Sequence, residues 1–470
     1  MKKIACLILV VLLLLPMLAC GEGNGETVTK GLQVGFGRAD ATPYDPINIS
    51  GGDSKNRMSV GYRDPINVTC VAISAGVDTY LIYTLDYITA SSVYTEPAEK
   101  LITAATGIPA DRIIMNCTHT HSGPAIAYSY DSIKPYREKF NNAAVAAAED
   151  AIADMSGAEI YAGAVETEGL VFVRHYEMDN GTFAGANYGS FSGSIKGHAY
   201  EGDQAVQVIK FVRGAEGKKD IVLVSNPAHA TAVSGTDRDL LSADIAYSVR
   251  DHVENNADCH VAYFIGAAGD QVPSSRIPAE GSTNDYLVYG ERMGKYIVDL
   301  LPSLEKMNAG ATKFKLQGFT GKTIKEGVER LEDAQQVAPI IKEYGNGANE
   351  TKAAVAKYGF SSPYQVTAIV ARSKRNATQS MKLNVLTLGD IAFVFAPYEM
   401  FSENGKYIKE NSPYPMTFVI TCSENHQGYL PSRNGFRVEC YESHVTVYER
   451  GTAEKLAETY VEILNTLKAE

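Results

Sequence analysis

At 470 residues, with 45% hydrophobic and 21% charged side chains, the chain has enough apolar content to bury a sizeable core. Its formal charge is −12, or −14 without the two charges of Lys2 and Lys3, and no basic stripe offsets it, which excludes a nucleic-acid partner. The five cysteines beyond Cys20 (Cys70, Cys117, Cys259, Cys422 and Cys440) are odd in number and form no CxxC, so they make neither a disulfide-dense scaffold nor a thiolate zinc site and read mostly as small buried apolar residues.

The chain begins with Lys2-Lys3, an apolar stretch from Ile4 to Leu15, and Pro16-Met17-Leu18-Ala19-Cys20, the charge, core and cleavage-site order of a secretory signal. Ile4 to Ala19 is shorter than the roughly 20 apolar residues that a bilayer span requires, so a permanent transmembrane helix is the weaker reading. Leu18-Ala19-Cys20, followed by the polar Gly21-Glu22-Gly23-Asn24-Gly25, resembles a bacterial lipoprotein box. The expectation is a lipoprotein-type signal over 1–20, a flexible tether over 21–31, and an exported chain held to the membrane through Cys20. Ordinary cleavage and release is the alternative. Residues 32–470 are expected to form one large domain, because no linker or repeat interrupts them and candidate site residues are scattered from 119 to 441.

Short β-branched and aromatic runs at Val68 to Ile73, Tyr80 to Leu85, Arg112 to Cys117, Ile221 to Ser225 and Val261 to Ile265 predict buried strands. Glu96 to Thr106, Pro135 to Met155, Leu240 to Glu254 and Asp285 to Leu304 carry Ala- and Leu-rich faces at helical spacing. Lys325 to Lys357 is polar and helical, and is expected to be a surface insertion. Lys382 to Val394 reads as a hairpin turning at Gly389-Asp390, and Thr452 to Leu467 as a closing helix with Leu456, Tyr460, Leu464 and Leu467 on one stripe. The class is mixed α and β.

The strongest local signal is Cys117-Thr118-His119-Thr120-His121-Ser122-Gly123-Pro124 at the end of a strand. Pleat alternation would turn His119 and His121 to one face, so that two imidazoles share a cavity as metal ligand and proton carrier; a hydrogen-bonded pair is the bland alternative. His229 follows another strand within Asn226-Pro227-Ala228-His229-Ala230-Thr231, where ligands of α/β proteins collect, although a capped loop histidine is the commoner outcome for such a residue. Hydrolytic zinc commonly adds a carboxylate to two histidines, and Glu399 leaves the apolar run Ile391 to Phe395 through Ala396-Pro397-Tyr398; a surface glutamate capping the next helix is its alternative. His175, His198, His252, His260, His426 and His444 lack comparable context, and His252 reads as structural.

Gly35-Phe36-Gly37-Arg38-Ala39-Asp40-Ala41-Thr42-Pro43, the histidine motif, Gly266-Ala267-Ala268-Gly269-Asp270, Ala396-Pro397-Tyr398-Glu399, Gly428-Tyr429-Leu430-Pro431 and Tyr441-Glu442 together resemble the neutral, non-lysosomal ceramidase family over nearly the whole mature chain. The resemblance implies a layered α/β sandwich with two central β-sheets flanked by helices, and one zinc ion (Zn2+) per chain held by His119, His229, Glu399 and Tyr429. It also implies that His121, Arg174 and Tyr441 line the reaction centre without ligating the metal. The expected reaction is cleavage of an amide in an N-acylated substrate, ceramide or a ceramide-like lipid. Zinc lowers the pKa of its water to about 7 and polarises the scissile carbonyl. Arg174, Tyr441 or His121 would stabilise the oxyanion, and His121 would protonate the leaving nitrogen or else merely orient the ligands.

One position departs from the family. Ceramidases proper carry a serine two residues after the aspartate of the Gly-Asp motif, whereas Gly269-Asp270-Gln271-Val272-Pro273 places Val272 there, with Ser274 and Ser275 further on. The resemblance also implies the catalytic domain without the β-sandwich that follows it in well-known ceramidases. A zinc esterase on the same fold and a catalytically silent substrate-binding lipoprotein are the rival expectations.

Overall fold

The apolar runs in the central strands are continuous because both faces of those strands are buried, and side chains alternate between two different cores. In the strand Ile391–Phe395, Ile391, Phe393 and Phe395 enter one hydrophobic cluster while Ala392 and Val394 enter another. The computed structural model describes residues 31–470 except 52–56, 186–192, 234–236, 278 and 280. The signal, Cys20 and all but the last residue of the tether therefore lie outside the described residues.

Two sheets face each other. The larger, nine-stranded sheet runs in the order Cys259–Ile265, Asp220–Asn226, Ala205–Arg213, Ser156–Glu166, Gln33–Asp40, Asn67–Ser74, Thr79–Leu85 and Ile113–Cys117, with Glu305–Met307 paired to Ser156–Glu166. The smaller runs Thr312–Lys322, Thr378–Leu388, Ile391–Phe395 and Met416–Ile420. Between them lies a core of Val34, Phe36, Ile82, Phe211, Leu223 and Phe264 from the first sheet against Leu386, Phe393, Phe395 and Phe418 from the second. Helices Ser92–Thr106 and Ile133–Ala153 cover one outer part of the large sheet and Ile245–Asn256 and Tyr286–Leu300 another. Helix Thr452–Ala469 buries Leu456, Tyr460, Leu464 and Leu467 on the outer face of the small sheet. The expected layered α/β sandwich with two central sheets is the architecture observed.

The Gly-x-Gly of the first strand is explained by packing. A Cβ on Gly35 or Gly37 would strike the backbone of Ala151 or Ala147, so only glycine lets helix Ile133–Ala153 lie directly on the strand. The hairpin at Gly389-Asp390 forms with Leu388 opposite Ile391. The helix expected from Leu240 starts instead at Ile245, because Ser242 and the Ala243 N–H are bound by the buried Asp64 carboxyl and Asp244 sits at φ 56, its carboxylate accepting from Ile245 N. Lys325 to Lys357 is helical, as expected, and a third helix extends the segment beyond Lys357. Its helices Leu331–Tyr344, Asn349–Lys357 and Pro363–Lys374 share a small core, and Arg372 donates to the carbonyls of Ser443 and His444 behind Tyr441.

One buried ion pair secures the strand end that carries the histidine motif. Arg250 donates from both terminal nitrogens to Asp86, at 2.9 and 2.7 Å, with both side chains almost fully buried. The adjacent carbonyls of Leu85 and Tyr87 accept from Thr118 and His119 N–H. Removing one partner leaves the other as an unpaired buried charge, so Arg250→Leu is expected to lower the unfolding free energy by about 3–5 kcal/mol, measured by urea denaturation.

Candidate metal centre

Six segments from across the chain meet in one region. His119 and His121 follow the strand Ile113–Cys117; His229 follows Asp220–Asn226; Glu399 and Tyr429 sit opposite each other in a short parallel pair, Glu399–Met400 with Tyr429–Leu430. Arg174 lies between Phe172–Val173 and His175–Met178, and Tyr441 opens the short helix Tyr441–Val445. The Gly-Asp motif lets these backbones approach: a Cβ at Gly269 would lie 2.8 Å from the Glu399 carbonyl, and the neighbouring Ala268 carbonyl binds His229 Nδ1 at 2.5 Å. Asp270 accepts from the Ser402 N–H and hydroxyl, both at 2.8 Å, which fixes the chain leaving Glu399.

Pleat alternation does not bring the two motif histidines together. The strand ends at Cys117, and His119 has φ 63, a left-handed conformation that costs a non-glycine residue about 1–3 kcal/mol. That turn, held by His119 N–H on Tyr87 O and His121 N–H on Ala230 O, sets their Nε2 atoms 3.3 Å apart.

The donor atoms fit a small cation. His119 Nδ1 lies 2.7 Å from Ile88 O, and His229 Nδ1 contacts Ala268 O; a carbonyl only accepts, so both Nδ1 atoms carry protons, which leaves the two Nε2 atoms as the ones a metal ion would use. Those Nε2 atoms are 3.1 Å apart, each 3.1 Å from Glu399 Oε2, and His229 Nε2 is 3.3 Å from Tyr429 Oη. Separations near 3.3 Å are the edges of a tetrahedron whose bonds are about 2.0–2.1 Å, the length of zinc bonds to nitrogen and oxygen. His119, His121 and His229 together are one of two groups among the described residues whose ligand atoms lie close enough to hold a metal ion.

Electrostatics points the same way. Burial opposes charge on Glu399, but His119, His229 and His426 outweigh it and hold the carboxyl well below its ordinary range. Burial and the Arg174 guanidinium push His229 down to about 4, and burial with its two imidazole neighbours pushes His121 well below the usual histidine range. His119 moves the other way: against burial, Cys422 and Glu399 raise it strongly. The cluster draws one positive charge, which a proton on His119 or a metal ion would supply.

Arg174 donates from Nη2 to Tyr429 Oη (3.2 Å) and Gly269 O (2.9 Å), while its buried Nε–H has no partner. Tyr441 lies edge-on to Tyr429 with ring centroids 5.8 Å apart, and burial raises its pKa. All seven sequence-derived site residues are thus gathered in one region. The serines near the departing position are engaged elsewhere: Val272 pairs with Phe172, Ser274 Oγ donates to Asn284 at 2.6 Å, and Ser275 Oγ is 3.1 Å from His198 Nε2.

Three neighbours escaped the sequence reading. His426 Nε2 is buried 3.5 Å from Glu399 Oε1, Cys422 Sγ is 3.4 Å from His119 Nδ1, and Glu442 lies against Arg174. Only Glu442, next to Tyr441 in a family-like motif, carried a local signal; the other two come from a loop without pattern.

No family model and no curated protein sequence matches the chain. Among solved structures, neutral ceramidase from Pseudomonas aeruginosa superposes with TM-score 0.67 and 15% identity over 93% of this chain and 75% of that one. A structure of ceramidase complexed with C2 gives the same TM-score, identity and coverage. The chain has the neutral ceramidase fold, with a buried histidine and carboxylate cluster suited to a metal ion.

Proposed function

We propose that the protein is a zinc-dependent amidohydrolase acting on an N-acylated lipid, ceramide or a ceramide-like molecule. The observation that carries this reading is that His119 Nε2, His229 Nε2 and Glu399 Oε2 lie 3.1 Å from one another, with Tyr429 Oη 3.3 Å from His229 Nε2. The ceramidase fold supports it, and so does the unpaired Nε–H of Arg174, a buried donor left over beside the cluster. When bound, zinc supplies a nucleophile at neutral pH and polarises the scissile carbonyl.

The chain's own residues do the rest. His119 and His229 are held in the ligating tautomer by the Ile88 and Ala268 carbonyls. Arg174 and Tyr441 donate hydrogen bonds to the developing oxyanion, a role worth most where water is excluded. His121, held neutral by its surroundings, takes up a proton and passes it to the leaving nitrogen.

A zinc esterase on the same scaffold is the second reading, because Val272 stands where ceramidases carry a serine, and Ser274 and Ser275 are hydrogen-bonded to Asn284 and His198. Matched N-acyl and O-acyl substrates, assayed for fatty-acid release before and after zinc chelation, separate the readings. Faster amide cleavage, abolished by chelation and restored by zinc, is the expected result. Ester preference would replace the reaction type, and activity indifferent to chelation would remove the metal from it.

A further inference from the structure

Behind the metal cluster lies a second buried charged group that the proposed reaction leaves without a task. Glu442 is 2% exposed and is shared between two partners: Oε1 lies against Arg174 Nη2, and Oε2 is 3.0 Å from His175 Nε2. A carboxylate accepts only, so His175 Nε2 carries a proton, and its Nδ1 lies in hydrogen-bond contact with the Tyr200 hydroxyl at 2.8 Å. The hydrogen bonds run from Tyr200 through His175 to Glu442, where Arg174 meets them, and Arg174 continues them to Tyr429 Oη. Burial opposes the charge on Glu442, but Arg174 and His175 outweigh it and hold the carboxyl far below its ordinary range.

His175, Cys440 and Glu442 are the second group whose ligand atoms are close enough for a metal ion. The guanidinium against Glu442 argues against a cation there. It already supplies the positive charge that the carboxylate requires, and in a buried site it would repel another ion strongly. The same contact indicates what the carboxylate does. Arginine has a long, freely rotating stem, and its value to a transition state depends on being fixed in place before the charge develops. Glu442 and the Gly269 carbonyl bind Nη2 from different parts of the chain, which fixes the plane of the group, with its carbon 5.6 Å from the Tyr429 ring centroid.

We propose that Glu442 is a positioning residue for the hydrolytic reaction, clamping Arg174 beside Tyr429 with its Nε–H left unpaired for the substrate oxygen. His175 steadies the carboxylate from the far side. The inference rests on the metallohydrolase reading given above.

The test uses the zinc-loaded full chain. Glu442→Gln, which keeps the shape and removes the charge, is expected to retain its zinc and lower kcat by about 10- to 100-fold. KM is expected to stay within about twofold, because the loss falls on the transition state. Glu442→Asp, which keeps the charge on a shorter stem, recovers part of kcat. A second readout needs no substrate: with 15N-labelled arginine, the Arg174 Nε–H signal, identified by its loss in Arg174→Lys, exchanges slowly in the wild type and rapidly in Glu442→Gln. Should Glu442→Gln not fold, His175→Gln is expected to give the same two changes in weaker form. Unchanged kcat, unchanged Nε–H exchange, or loss of zinc from Glu442→Gln overturns the assignment. If the wild type cleaves neither amide nor ester, the hydrolase reading fails, and the exchange measurement still reports whether the clamp exists.

Discussion

Purified wild-type protein is expected to bind one zinc ion per chain, and His229→Ala to lose both stoichiometric metal and turnover while remaining folded. His229 lies in the loop after Asp220–Asn226, and its Nε2 contacts His119, Glu399 and Tyr429. It is the imidazole that links the Tyr429 phenol to the rest of the cluster. Truncation removes one of the four proposed donors and leaves Glu399 Oε2 with His119 as its one remaining imidazole partner, a poorer cage for a small ion that favours four donors. Elemental analysis, with circular dichroism to show the fold intact, checks the outcome. A variant retaining full zinc would mean that the ligand set is wrong.

Arg174→Ala is expected to keep its metal and lose about 10²- to 10³-fold in kcat, the range seen when one oxyanion donor is removed from a water-excluded site. Its effect on folding should be large as well. The guanidinium is the positive partner of the buried Glu442, and breaking such a pair costs about 3–5 kcal/mol because the remaining charge is uncompensated. Steady-state kinetics and urea denaturation of the same preparation separate the two effects. A variant with wild-type kcat would take Arg174 out of the reaction.

Much of this was legible from the residues, for reasons that differ along the chain. Uninterrupted apolar runs such as Ile391–Phe395 announce strands buried on both faces, and the stripe Leu456, Tyr460, Leu464 and Leu467 announces a helix with one buried side. The His119 motif stood out because reactive side chains follow such runs where the strands end, whereas His229 and Glu399, which alone read as a loop histidine and a surface glutamate, gained their place from the family resemblance. The left-handed turn at His119 had no counterpart in the pattern, since backbone angle at a non-glycine residue is imposed by its surroundings. The contact of His175 with Glu442 spans 267 positions, and the place of His426 beside Glu399 depends on a loop whose course follows from the pairing of Glu399–Met400 with Tyr429–Leu430. Neither leaves a trace in local spacing. The late start of helix Ile245–Asn256 was hidden likewise, being set by Asp64 from a remote segment.

The division of the donor atoms between the layers has a further consequence. Both imidazoles hang from the large sheet, whereas the acid and the phenol follow Ile391–Phe395 and Met416–Ile420 of the small one. An ion bound there would rivet the two halves of the sandwich, so its affinity would depend on how well Phe393 and Phe418 mesh with Phe264 in the core between the sheets. No excised fragment could inherit the chemistry, and a change that lets one layer slide over the other would loosen the metal without altering a single ligating side chain.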